Sequence, residues 1–120
     1  MSLDISLINT NKLTCDCGKV YDLGTTEVFD ANITHNLNKM ADAAGIYEAL
    51  WRPASIGKYQ AFEIIPILEH GLQILKADPK KYSQFNPSNG WGTYDGFIPW
   101  IEEYLEACKK WPESRIWVSR

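Results

Sequence analysis

Leu3, Ile5 and Leu7 alternate with Ser2, Asp4 and Ser6, a period of two that predicts a half-buried first strand. Asn9-Thr10-Asn11 carries turn chemistry, and Leu13 to Tyr21 reads as a second strand broken at Cys17-Gly18. From Val28 to Ile33 the alternation returns, with Phe29, Ala31 and Ile33 on one face and Asp30 and Asn32 on the other. Ile116 and Val118 alternate with Trp117 and Ser119, which predicts a C-terminal strand after a Pro112-Glu113-Ser114 turn.

Between these strands the period changes to that of a helix. Leu37, Met40, Ala41 and Ala44 form an apolar stripe, with Thr34 placed as N-cap and Gly45 as C-terminal cap. A short helix over Ile46 to Trp51 must end before Pro53. Phe62, Ile65, Leu68, Leu72 and Leu75 mark a long buried helix from about Tyr59 to Lys76, which Pro66 is expected to kink or divide. Asp78-Pro79 starts one short helical turn, and a polar loop follows over Asn86 to Gly92. Tyr94, Phe97, Ile98, Ile101, Leu105 and Cys108 keep helical spacing over four turns behind a Thr93 cap. Strands, then helices, then a returning strand predict one α+β domain over residues 1–120. In it a small antiparallel sheet carries three to four helices on one face.

Composition narrows the function classes. The chain has 120 residues, 45% of them hydrophobic, and a formal charge of −3, which disfavours a binder of duplex nucleic acid. The absence of a long apolar run and of a charged-then-apolar leader points to a cytoplasmic protein with no membrane partner. Three cysteines do not make a disulfide framework. A zinc site would need the fold to gather Cys15, Cys17, Cys108, His35 and His70, so no metal and no cofactor is expected.

Three segments carry candidate chemistry. The first is the strand-to-helix junction containing Asn32, Thr34, His35 and Asn36, where backbone N–H groups and side-chain donors suit an anion. The second is Trp51-Arg52-Pro53, an Arg held rigid beside an indole. The third is the loop around Asn89 and Trp91 running into Tyr94, with glycines on both sides of the indole. Capping, surface cover and core packing explain the same residues without a ligand. If they converge, they suit a small anionic ligand with a planar ring, such as a nucleotide. His35 is the natural general base if the protein is an enzyme.

Ala31-Asn32-Ile33-Thr34-His35-Asn36-Leu37, Gly45-Ile46-Tyr47-Glu48-Ala49-Leu50-Trp51-Arg52-Pro53 and Asn86-Pro87-Ser88-Asn89-Gly90-Trp91-Gly92 resemble a widespread family of small uncharacterised bacteriophage and prophage proteins. The resemblance implies a phage origin and no established activity. A phage protein of this kind is expected to sequester a nucleotide-derived immune signal of the host without turnover. A hydrolase or phosphodiesterase using His35, and an inhibitor that docks on a host protein through its Trp residues, remain the alternatives. Self-association is left open.

Overall fold

The computed structural model describes residues 2–87, 90 and 92–120. Two long strands, β1 (Ser2–Thr14) and β2 (Val20–Thr34), form an antiparallel hairpin, and β3 (Arg115–Ser119) pairs antiparallel with the other edge of β1, giving the order β2-β1-β3. Among the described residues five α-helices lie between β2 and β3: α1 (Asn38–Ala43), α2 (Tyr47–Trp51), α3 (Ala61–Ala77), α4 (Pro79–Ser83) and α5 (Tyr94–Lys110). The fold is α+β.

Leu3, Ile5, Leu7 and Ile33 are buried on the sheet face turned to the helices, in one cluster with Leu37, Met40, Ile64, Leu68, Phe97 and Ile101. Ile5 pairs with Val118 and Ala31, and Leu7 with Ile116 and Phe29, so these partners share that inner face. The helix layer is fastened to β2 by two contacts from α5. Tyr104 stacks on Phe29 with centroids 5.8 Å apart, and Trp100 Nε1 donates to the Asn32 carbonyl at 3.1 Å. Burial pushes the Tyr104 phenol well above its ordinary range, and its hydroxyl has no hydrogen-bond partner among the described residues.

β3 reaches only Asp4–Ile8 of β1, so the outer part of the hairpin runs on as a two-stranded ribbon and the molecule extends 59 × 27 × 23 Å. Asn9-Thr10-Asn11 is therefore strand, not turn. Asn9 pairs with Thr26 and Thr10 with Thr25, while Asn11 Nδ2 donates to Thr26 Oγ1 at 2.7 Å. Long-range pairing overrides local turn preference here, and the register shifts after Leu7 and Thr10 absorb the mismatch. The reversal lies instead at Cys15–Lys19, so the expected strand over Leu13 to Tyr21 is the tip of two strands. There Leu13, paired with Tyr21, remains exposed.

Pro66 does not divide α3. It removes one N–H, and the carbonyl it would have met belongs to Phe62, which is 49% exposed and open to water. Phe62 thus lies off the buried stripe, which runs instead through Ile64, Leu68, Gly71, Leu72 and Leu75. Thr93 Oγ1 accepts from Gly96 N at 3.2 Å and caps α5 as predicted, whereas Thr34 Oγ1, accepting from Asn36 N at 3.3 Å, caps a 3-10 turn over His35–Leu37 that precedes α1, not α1 itself.

Glu63 Oε1 accepts the N–H groups of Tyr59 and Gln60, each at 3.1 Å, closing the start of α3. These backbone donors, aided by the charge of Lys58, hold its carboxyl below the usual value. A lowered folded-state pKa stabilises the fold above the ordinary Glu range, and this contribution is lost as pH falls through the folded value. Glu63→Gln is accordingly expected to lose less stability than the parent between neutral and acidic pH in urea titrations.

Gly71 sits where α3 crosses the start of α2, and a Cβ there would lie 2.1 Å from Ile46 Cγ2. Ile46 is fully buried and has no room to retreat. Although alanine is favoured over glycine in a helix by about 1 kcal/mol, overpacking of this kind costs roughly 1–3 kcal/mol. Gly71→Ala is expected to lower the urea midpoint, and Ile46→Ala/Gly71→Ala to lose less than the two single changes combined.

Candidate functional site

Two of the three candidate segments, the His35 junction and Trp51-Arg52-Pro53, meet at the Trp51 indole. Trp51 ends α2 and is 2% exposed, so its only polar atom must find a partner inside the protein. It does so at His35, the first residue after β2: Trp51 Nε1 donates to His35 Nδ1 at 2.8 Å. An indole N–H is only a donor, so Nδ1 is the unprotonated nitrogen and the proton of the neutral ring sits on Nε2.

On its other flank Trp51 stacks on Tyr47, with centroids 5.5 Å apart and planes 20° from parallel. The Tyr47 hydroxyl accepts from Arg52 Nε at 3.4 Å. Four side chains thus form a continuous chain, from imidazole to indole to phenol to guanidinium. The Arg52 backbone is fixed as well. Pro53 opens a 3-10 turn, and Ser55 Oγ donates to the Arg52 carbonyl at 2.6 Å.

His35 and Arg52 nevertheless line different recesses. Arg52 lines a cleft of about 250 Å³ at the β3 edge of the helix layer, together with Trp51, Lys58, Tyr59, Val118 and Arg120. Among the described residues the ion pairs are Lys76–Glu102 at 3.4 Å and Lys109–Glu106 at 3.9 Å, so none of Arg52, Lys58 and Arg120 has a carboxylate at ion-pair distance. His35 and Asn36 line a second recess with Lys39, Gln84, Phe85 and Asn86. Gly92 lies against this junction, because a Cβ on it would lie 2.5 Å from Thr34 Cγ2 and 3.0 Å from Leu37 Cγ. The first and third segments are neighbours, and the second joins the first through Trp51.

The remaining predicted residues divide by role. Asn32 lies on the outer sheet face, where its Nδ2 donates to Asp4 Oδ1 at 2.6 Å and Ser2 Oγ at 3.0 Å. Thr34 is a cap. Tyr94 is buried and its hydroxyl donates to the Leu75 carbonyl at 2.7 Å, so it holds α5 to α3 and offers a ligand nothing polar. Asn89 and Trp91 lie outside the described residues. Local sequence missed Lys58, Tyr59 and Arg120, which reach the cleft from separate stretches of chain, and Tyr47, whose place beside Arg52 follows from the i, i+5 reach across the end of α2.

Cys15 and Cys17 are exposed at the ribbon tip, whereas Cys108 is buried in α5, where burial pushes its thiol up to about 12. Among the described residues no three metal-ligating side chains gather, and no helix is long and apolar enough to cross a membrane. The chain matches no family model, no curated protein and no solved structure.

Removing the imidazole would leave the buried Trp51 N–H without an acceptor, which costs about 1–3 kcal/mol. His35→Phe is expected to lose that much in urea denaturation. His35→Phe/Trp51→Phe should lose less than the sum of the single changes, and strict additivity would show that the bond carries no coupling.

Proposed function

We propose that the protein binds a small anionic ligand bearing a planar ring, without turning it over, in the cleft of Arg52, Lys58 and Arg120. The observation that carries this reading is the grouping of three cations around one cleft of a chain whose formal charge is −3, with no carboxylate at ion-pair distance from any of them among the described residues and Glu63 within electrostatic reach of Lys58. Such a grouping repels itself, and an oxyanion offsets the repulsion. Tyr47 holds Arg52 Nε, which leaves the terminal amino groups of the guanidinium for two parallel hydrogen bonds to a phosphate or carboxylate. Tyr59, 53% exposed, and Val118 supply the apolar wall for a ring.

The cleft volume of about 250 Å³ lies just under the usual range for ligand pockets and suits a ligand of mononucleotide size. His35 acts here at one remove, by fixing the indole that forms the back wall. With Trp51 on Nδ1 and the proton on Nε2, neither ring nitrogen is open to take a proton from water, which favours binding over hydrolysis by His35. Trp51 is too deeply buried to anchor a flat protein interface, whereas Trp117 is exposed on the outer sheet face. Within the phage family that the sequence resembles, such a site fits sequestration of a nucleotide-derived host signal in the cytoplasm.

Isothermal titration against a panel of cyclic, mononucleotide and ADP-ribose-derived ligands tests the proposal, and the bound ligand is expected to be recovered intact after heating. Arg52→Ala and Lys58→Ala should each weaken binding about tenfold or more, the loss expected of a charge-assisted hydrogen bond of about 1.5–3 kcal/mol. Absence of heat with every ligand, or unchanged affinity in both variants, would remove this reading.

A further inference from the structure

The tip of the ribbon holds two sulfurs in a fixed relation. Gly18 N donates to the Cys15 carbonyl at 2.8 Å and Cys15 N donates to the Lys19 carbonyl at 2.8 Å, so Cys15-Asp16-Cys17-Gly18 is a closed turn. Gly18 has φ +86°, the left-handed conformation that completes the reversal. Both cysteines fall within this turn, separated by Asp16 alone. Both thiols are open to solvent. The ribbon carries them beyond the packed body, where no helix covers them.

We propose that Cys15 and Cys17 form a thiol–disulfide exchange site for exposed disulfides, with Cys15 as the attacking and Cys17 as the resolving sulfur. The Cys15 thiolate attacks one sulfur of a disulfide RS–SR. That S–S bond breaks, one RS⁻ leaves and takes up a proton, and Cys15 is left in a mixed disulfide. The Cys17 thiolate then attacks the Cys15 sulfur, the Cys15–Cys17 bond forms, and the second RS⁻ leaves to be protonated. The two cysteines lose two electrons and two protons, and RS–SR is reduced to two thiols.

The division of roles follows from the turn. N–H donors favour a thiolate over a thiol, and those of Cys17 and Asp16 lower the Cys15 thiol below its ordinary value. Cys17 is adjacent, so closure outpaces escape of the mixed disulfide. A bridge across a single residue closes a tight ring, and tight disulfides are readily reduced again by a thiol pool, which makes the site reversible. It operates independently of the Arg52 cleft.

The test uses the full chain, reduced, then equilibrated in buffers of reduced and oxidised glutathione, quenched with acid, alkylated and cut with trypsin. Cleavage after Lys12 and Lys19 places both cysteines in one peptide, residues 13–19, apart from Cys108. The peptide is expected to lose two hydrogens and resist alkylation as the buffer becomes oxidising, and to recover when it is made reducing. Cys17→Ser should trap glutathione on Cys15, and Cys15→Ser should react several-fold more slowly than Cys17→Ser. A peptide that stays reduced, glutathione retained equally by the parent and Cys17→Ser, equal rates in the two variants, or cross-linking only between chains would each overturn the proposal.

Discussion

Burial of Leu3, Ile5 and Leu7 beneath the helix layer is the interaction on which the remaining structure rests. Each such side chain contributes about 1.5–3 kcal/mol when removed from water. Only in this part of β1, over Asp4–Ile8, does the strand have a neighbour on both edges. The helices, lying between β2 and β3 in the chain, cover this window. Where the coverage ends, at the β3 edge, the Arg52 cleft opens between the 3-10 turn and the inner-face residue Val118. Where the third strand ends, the ribbon begins.

Trp51 links this packing to the candidate chemistry. A large aromatic ring placed at the end of a five-residue helix fills the core, yet it brings one N–H that water cannot reach. Satisfying that donor dictates where His35 sits and which of its nitrogens holds the proton. The ring then serves as a platform for Tyr47, and Tyr47 restrains Arg52. Packing demand is thus passed through these four residues to the Arg52 guanidinium at the cleft.

The parts of the molecule legible in the sequence are those fixed by near neighbours. The alternation of Leu3, Ile5 and Leu7, the repeat along α5 and the cap at Thr93 are local signals, and each has its expected place. Asn9-Thr10-Asn11 misled because its partners, Thr25 and Thr26, lie across the hairpin. Phe62 matched a helical stripe, but the true stripe is offset so that glycine, Gly71, can meet Ile46. Tyr104 is absent from the predicted stripe, yet it is fully buried, with its hydroxyl sealed beside Phe29 and Trp100. At the site, His35, Trp51 and Arg52 were recognisable as residue types with unusual neighbours. Their connection was not, since it runs through side chains sixteen residues apart for His35 and Trp51 and through a tyrosine inside α2. Lys58 and Arg120 meet only after β3 returns to the sheet.

β1 itself passes from one environment to another without a break. Over Asp4–Ile8 it is flanked by two strands and roofed by helices, so the amides there open only when the whole domain does. Beyond Ile8 it has one partner strand, and two-stranded ribbons are marginal by themselves. A single strand therefore carries two levels of protection against solvent exchange, with the boundary near Ile8. The distal half can fray and re-zip on its own while the core stays shut.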